Sequence, residues 1–473
     1  MLSLLAAHAL GGAGTGAAAA LRAAAPALLR HLGGAGGAAA GAAAARRGSS
    51  WAGFADAPGS QRAGSDVEAQ SQSEKAAAMD LVDLSPGLRR AILNPDRKLS
   101  VELLVPMDDG GVEIFMAHRV QHNNSRGPFK GGFKFHPSAD LEDTEGLASI
   151  NTWKSAVVNV PFGGAKGGVA VDPSLLSSRE LEKLTRKLVG GMHRILGAHT
   201  DIPGPDIGTD ERVMAWIFDE YSKYEGYSPA VPLHLHGSLG RDGAAGAGAV
   251  MGLREFLKRD LLTSINKSTF VVQGFGKVGS SVARHIHEAG GRVVAVADVR
   301  GATFNEGGLD VPRLLAHVYR GGTLWDFEGG TPLPSDPDFL AIPCDVLVPA
   351  ALGGVINART APRLQCKAVV EAANAPTTAE GDAILRARGI PVLPDVYANG
   401  GGIIVSFFEW VQNLQNFQWD EDEVTRRLDR YMTDAFHDMH RLAKDRGVPL
   451  RVGAYMLACS RVASAEKHRG FGA

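Results

Sequence analysis

The chain has 473 residues, 45% of them apolar and 21% charged, with a formal net charge of -2. That length allows two or three domains with sizeable cores, and the near-neutral balance argues against a general affinity for nucleic acid or for an anionic membrane surface. Cys344, Cys366 and Cys459 are scattered and form no CxxC pair, which argues against a disulfide framework and a zinc site.

Residues 1–55 contain no Asp or Glu and consist largely of Ala, Gly and Leu, with Arg22, Arg30, Arg46 and Arg47 spaced among them. Acid-poor, Arg-bearing sequence of this kind predicts an organelle transit peptide, assigned to 1–62, with the mitochondrion favoured over the chloroplast. No stretch approaches the ~20 apolar residues of a membrane span. Helical turns are expected over 79–93 on either side of Ser85-Pro86, ending at Pro95. Two apolar runs, 99–105 and 112–120, flank Asp108-Asp109-Gly110-Gly111 and predict a hairpin.

Residues 127–168 then place three lysines among glycines or small apolar residues: Lys130 in KGG, Lys154 in TWKSA and Lys166 in GGAKGG. An ammonium in a dry setting is either paired with an anion or made less basic. Glycines allow close approach of the backbone, here expected to be toward a ligand. Three such lysines point to a substrate with more than one carboxylate. Helices are expected over 141–156, 179–197 and 209–224, and the loop 227–240 reads as a domain boundary.

Beyond it, a helix over 244–258 leads to a strand at 269–273 and then to Gly274, Gly276 and Gly279 in a G-x-G-x-x-G. A helix and a strand over 292–297 follow, ending at Asp298. This strand, glycine turn, helix, strand and acid describe a dinucleotide-binding unit. The first glycine makes the turn, the second admits the pyrophosphate and the third lets helix and strand pack; the helix N-terminus faces the phosphates. Asp298 would accept from the ribose hydroxyls and repel a 2′-phosphate, which favours NAD; Arg300 is the argument for NADP. Short strands are expected at 346–349, 368–371 and 391–393. The loops after the last two carry Asn374 and Asn399, either coenzyme contacts or loop caps. Two helices over 420–444 and 451–467 close the chain. His122, His136, His234 and His236 show no metal-ligand spacing, so no metal is expected.

The runs RVQHNNSRGPFKGG, PFGGAKGG, DIPGPDIGT, GSLGRD, QGFGKVG, EAANAPTT, PDVYANGGG and VSFFEWVQN resemble the glutamate dehydrogenase family, and within it the plant and algal mitochondrial NAD-type enzymes. The resemblance covers 79–473. It implies an α/β fold of the two-domain amino-acid dehydrogenase type, with a mixed-sheet substrate domain at 63–231, a Rossmann-type coenzyme domain at 232–410, and C-terminal helices at 411–473 returning to the first. It also implies a homo-hexamer, and oxidative deamination of L-glutamate to 2-oxoglutarate and ammonia. Lys130 and Ser406 resemble the pair that holds the distal carboxylate, Lys154 the α-carboxylate ligand, Lys166 the catalytic lysine and Asp206 the proton-transferring acid. Asn374 and Asn399 match coenzyme-contacting positions. Two departures stand out: a Thr-Gly-Lys-Pro segment usual before GSLGR is absent, and Ala245 replaces a threonine. Two alternatives stay open, a leucine, valine or phenylalanine dehydrogenase and a non-catalytic subunit of the same fold.

Overall fold

The structure is a computed structural model that describes residues 74–227, 237–334 and 337–470. The expected transit peptide, the boundary placed at 231/232, and His234 and His236 lie outside the described residues. Helix α1 (Pro86–Leu93) starts on Ser85, whose hydroxyl accepts the amide of Leu88, and stops before Pro95. The expected hairpin is present as β1 (Arg97–Pro106) and β2 (Val112–Asn123), antiparallel throughout, with Gly110 at φ +87° in the turn.

The chain then forms β3 (Phe129–Lys130), β4 (Phe133–Phe135), α2 (Leu141–Val157), β5 (Gly163–Val169), α3 (Ser178–Met192), β6 (Asp201–Ile202) and α4 (Glu211–Glu225). The strands make a mixed sheet ordered β1-β2-β5-β3-β6, with β4 also on β5. The glycine-rich GGAKGGV is the fully buried strand β5. Where the glycines were expected to approach a ligand, two of them approach the protein itself: a Cβ at Gly164 would strike Ala148 O and Thr152 of α2, and one at Gly167 would strike the Phe133 ring of β4. The strand can therefore lie flush under α2 only without a side chain at Gly164, and beside β4 only without one at Gly167.

The second half runs α5 (Ala244–Asp260), β7 (Thr269–Gln273), α6 (Lys277–Glu288), β8 (Arg292–Asp298), β9 (Gly301–Phe304), α7 (Val311–Tyr319), β10 (Thr331–Leu333), β11 (Cys344–Pro349), β12 (Cys366–Val370), α8 (Ala379–Ala387) and β13 (Val392–Leu393). The sheet order is β10-β9-β8-β7-β11-β12-β13; β7, β8, β11, β12 and β13 are parallel, and β9 and β10 extend one edge antiparallel. Crossovers on both sides of β7 make it doubly wound. Strands β9 and β10 and helices α7 and α8 were not anticipated; each spans nine residues or fewer, too short a run to declare a period.

The chain closes with α9 (Asp395–Ala398), α10 (Gly401–Gln415), α11 (Glu421–Arg446) and α12 (Leu450–His468). The boundary placed at 410/411 falls inside α10, because that apolar run is one continuous helix. α12 returns to the first half: the Arg461 guanidinium donates to Ala156 O (2.9 Å) and Val157 O (2.8 Å) at the end of α2, and Asn123 Nδ2 donates to Glu466 Oε1 (2.7 Å). One apolar core runs through these parts, with Trp153 and Phe162 from the first half, Val272 from the second, and Phe408 and Met456 from the closing helices. Each large side chain so buried contributes roughly 1.5–3 kcal/mol, so the two halves are joined by much more than their linker. Burial raises the pKa of all three thiols, Cys366 to about 11 and Cys459 to about 12; Cys344 and Cys366 are register partners on β11 and β12.

Candidate active site

The three lysines converge. Lys166 sits on β5, on the same face as Gly164 and Gly168, and that face lies against α2. Lys154 lies in the last turn of α2. Lys130 ends β3, which is wedged between β5 and β6. A buried ion pair fixes the loop behind it. Arg119 donates to both carboxylate oxygens of Asp201 and, over 3.1 Å, to Gly131 O; Gln121 Nε2 adds a bond to Asp201 Oδ2 (2.8 Å). With both charges fully buried, removing either partner would leave the other uncompensated, at a cost of roughly 3–5 kcal/mol.

Each lysine meets a different electrostatic fate. Lys166 Nζ is hydrogen-bonded to Asp206 Oδ2. The Ile207 amide donates to the other oxygen, Oδ1, over 2.7 Å. Burial opposes ionisation of Asp206, but Lys166 overrides it and holds the carboxyl below its ordinary range. Among the described residues Lys130 has no carboxylate partner of this kind; its Nζ donates to Pro203 O over 3.5 Å. Burial, with Arg241 and Arg119 nearby, lowers its pKa to about 7. Lys154 is lowered to about 8, first by burial and then by Lys166, with Asp395 opposing. Its Nζ donates to Asn374 Oδ1 (2.5 Å) in the loop after β12. Thus both states expected of dry lysines occur, divided among the three. Lys166 presses electrostatically on the other two.

A pocket opens at Lys130. Its polar lining includes Lys130, Arg241, Ser406 and Glu409, with Glu211 and Asn413 also on its wall, and Met214, Ile217 and Trp410 give apolar walls. Ser406 comes from α10, and its buried hydroxyl has no hydrogen-bond partner among the described residues. Lys130 and Ser406, far apart in sequence, are therefore brought together as expected. Arg241 and Glu409 were missed. They form a buried ion pair in the same pocket, and burial lowers the Arg241 pKa to about 10, leaving it a cation at neutral pH. Their signal was present in GSLGRD and FFEWVQN, where an Arg and a Glu stand among small or apolar neighbours. His122 is buried between Thr152 and Leu93, and burial lowers its pKa to about 3; it is a neutral packing residue.

The glycine turn has the three expected geometries. Gly274 sits at φ +100°. A Cβ at Gly279 would strike Gly274 O, so helix α6 and strand β7 need that glycine. Around Gly276, nothing lies within 4 Å of where a Cβ would be, so the space over the N-terminus of α6 is open to a pyrophosphate. Asp298 ends β8. Its Oδ1 accepts the amides of Arg300 (2.7 Å) and Gly301 (3.1 Å), and its Oδ2 pairs with the Arg300 guanidinium at 3.3 Å. Asn374 and Asn399 meet: Asn399 Nδ2 donates to Asn374 Oδ1 (3.0 Å) and Ala373 O (3.2 Å). Asn399 Oδ1 is buried without a partner among the described residues, an acceptor suited to a carboxamide N–H. These residues fit a nicotinamide dinucleotide.

Residues 237–470 match the family model described as Glutamate/Leucine/Phenylalanine/Valine dehydrogenase, and 95–223 match the Glu/Leu/Phe/Val dehydrogenase, dimerisation domain. The chain belongs to this family. A glutamate dehydrogenase of Thermotoga maritima is 46% identical over 400 residues, covering 83% of this chain and 95% of that protein. Among solved structures, the hetero-hexameric glutamate dehydrogenase of Thermus thermophilus in its Leu-bound form superposes with a TM-score of 0.80 at 38% identity, covering 86% of this chain and 98% of that one. The enzyme of Peptoniphilus asaccharolyticus gives 0.76 at 35%, over 86% and 99%. The two-domain fold expected from the motifs is the fold of this dehydrogenase family, with the mixed sheet in one part and the nucleotide-binding sheet in the other.

Proposed function

We propose that this chain catalyses the reversible oxidative deamination of L-glutamate to 2-oxoglutarate and ammonia, with NAD as coenzyme. The observation that carries this reading is the pocket in which a buried lysine, Lys130, is joined by the Ser406 hydroxyl, the lysine without a carboxylate partner and the hydroxyl without any partner among the described residues. Burying an ammonium is costly unless an anion meets it. A leucine, valine or phenylalanine side chain offers none, whereas the distal carboxylate of glutamate does.

In this reading Lys130 and Ser406 hold the distal carboxylate and Lys154 the α-carboxylate, so the substrate is gripped at both ends and its α-hydrogen has one direction to face. Orientation of this kind accounts for much of the rate of such reactions. NAD, held at Gly274, Gly276, Gly279, Asp298, Asn374 and Asn399, supplies the hydride acceptor. Asp206 takes a proton from the substrate nitrogen, and Lys166 holds and activates the water that adds to the iminium carbon. Loss of ammonia then gives the oxo acid, whose carbonyl Lys166 polarises. The Asp206–Lys166 hydrogen bond gives the proton a short path between the two groups. Asp298 supports NAD over NADP, since a 2′-phosphate would lie beside a carboxylate already drawn to Arg300.

The acid-poor leader over 1–62 supports import into the mitochondrial matrix, with the chloroplast stroma as the alternative; the hetero-hexameric relative supports a six-subunit assembly, read here as a homo-hexamer. One experiment tests the reading: NADH absorbance of purified protein across glutamate or leucine and NAD or NADP. Turnover on leucine alone refutes the substrate, preference for NADP refutes the coenzyme, and no turnover in a normally assembled protein favours a non-catalytic subunit.

A further inference from the structure

The loop carrying Asn374 has a feature that catalysis does not require in itself. Ala375, directly after Asn374, sits at φ +39°, a left-handed conformation that a residue with a Cβ adopts only when held there. Its amide donates to Asp395 Oδ2 (2.8 Å), twenty residues on. Asp395 is itself held: its amide donates to Glu371 Oε2 (2.9 Å), and Arg451 lies 3.4 Å from its Oδ1. Glu371 takes two parallel bonds from the same Arg451, at 2.8 and 2.7 Å. Asp395 also opens α9, the short helix that ends at Asn399. A single carboxylate therefore stands at the root of both asparagine positions.

We infer that Asp395 is a positioning residue, clamping the Ala375 amide in its left-handed turn so that the Asn374 side chain meets Lys154 and Asn399 together. The inference rests on the reading of Asn374 and Asn399 as coenzyme contacts. Without the clamp, Ala375 relaxes to negative φ, and Asn374, one peptide away, swings out of register with Asn399. A glycine at 375 carries no such bias.

The test uses three full-length variants and two readouts, NADH binding by fluorescence titration and a crystal structure of the first variant. Asp395→Ala should weaken NADH binding roughly tenfold, the scale of one lost charge-assisted bond. Asp395→Asn keeps an oxygen for the Ala375 amide but turns its NH2 toward the Val396 amide and Arg451, so it should lose clearly less NADH affinity than Asp395→Ala. Adding Ala375→Gly to Asp395→Ala should recover part of the loss. A purely structural role, charge balance around Arg451, predicts instead that Asp395→Asn is as poor as Asp395→Ala and that glycine rescues nothing; either result overturns the inference. If the parent protein binds no NADH, the proposed function fails, but the crystal structure still judges the clamp. Ala375 at negative φ in Asp395→Ala supports it, and an unchanged positive φ overturns it.

Discussion

Lys154 and Asn374 stand 220 residues apart in the chain and meet in one hydrogen bond, Nζ to Oδ1. The lysine belongs to the helix under the substrate sheet and the asparagine to the loop after β12. Asn374 accepts from Asn399 at the same oxygen. Its carbonyl is thus committed to the protein, and its amide group is left for the coenzyme contact proposed above. Asn374→Ala should therefore raise KM for NAD about tenfold while changing KM for glutamate far less, since the substrate carboxylate itself supplies Lys154 with an acceptor. A collapse of glutamate binding with normal NAD affinity would remove Asn374 from the coenzyme contacts.

Lys130 should make glutamate binding pH-dependent. Its pKa is lowered from the ordinary 10.5 to about 7 in the free pocket, by burial first and by Arg241 and Arg119 next. Below pH 7 the ammonium is present and glutamate binds without proton uptake. Above it, binding must draw a proton onto Lys130, so KM for glutamate rises with pH between 7 and 9. Calorimetry in two buffers of different ionisation enthalpy should show uptake approaching one proton in that window. The sign for stability is the reverse. Between pH 7 and 10.5 the unfolded chain holds a proton that the folded chain has lost, so the contribution of this group to stability rises with pH. Lys130→Met should abolish the proton uptake and cut kcat/KM for glutamate by about two orders of magnitude or more, as expected for an unpaired substrate carboxylate. The same variant should melt no earlier than the parent, because a costly buried charge has been removed.

Lys166→Ala removes the partner of Asp206 and the group assigned to the water. Turnover should fall by at least about a thousandfold, within the range of general acid–base groups, while NADH binding changes little and the melting temperature falls modestly, because Asp206 loses its partner. Asp206→Asn keeps a neutral acceptor for Lys166 and should lose a similar factor in kcat. Wild-type rates from either variant, followed by NADH absorbance, would remove it from the mechanism.

Two glycines should behave oppositely. A Cβ at Gly164 would run into Ala148 and Thr152 of α2, both backbone contacts, so Gly164→Ala should yield insoluble or strongly destabilised protein. At Gly276 the added carbon meets nothing within 4 Å. Gly276→Ala should therefore fold with an unchanged melting temperature yet lose NADH affinity, because the methyl group occupies the approach of the pyrophosphate. Solubility, melting curves and NADH titration of the pair separate the two roles.

The same pair shows where reading the sequence reaches its limit. GGAKGG and GFGKVG look alike as strings: glycines around a lysine. Local order of elements told the second apart, because the strand before Gly274 and the helix after Gly279 define a turn whose geometry follows from chain stereochemistry alone. Nothing local distinguishes Gly164, whose neighbour is a helix turn formed by other residues; a buried strand and a ligand loop have the same composition there. The hairpin over β1 and β2, the helix starting at Ser85 and the nucleotide-binding unit were legible because turn residues, caps and periodicity encode them within a few positions; the grouping of Lys130, Lys154, Lys166, Asp206 and Ser406 came from the resemblance of long motifs, since nothing local joins residues so far apart. The boundary at 410/411, the edge strands β9 and β10, and the Arg241–Glu409 pair were not, since they depend on which surfaces meet. The division of labour among the lysines belongs to the same class. Sequence determined that three ammonium groups stand in dry surroundings. Only the tertiary structure decided that Lys166 receives a carboxylate, Asp206, while Lys130 and Lys154 lose basicity, because a pKa is set by burial and by the charges around a group: burial acts first on both, Arg241 and Arg119 add to it at Lys130, and at Lys154 Lys166 adds to it while Asp395, distant in sequence, opposes it.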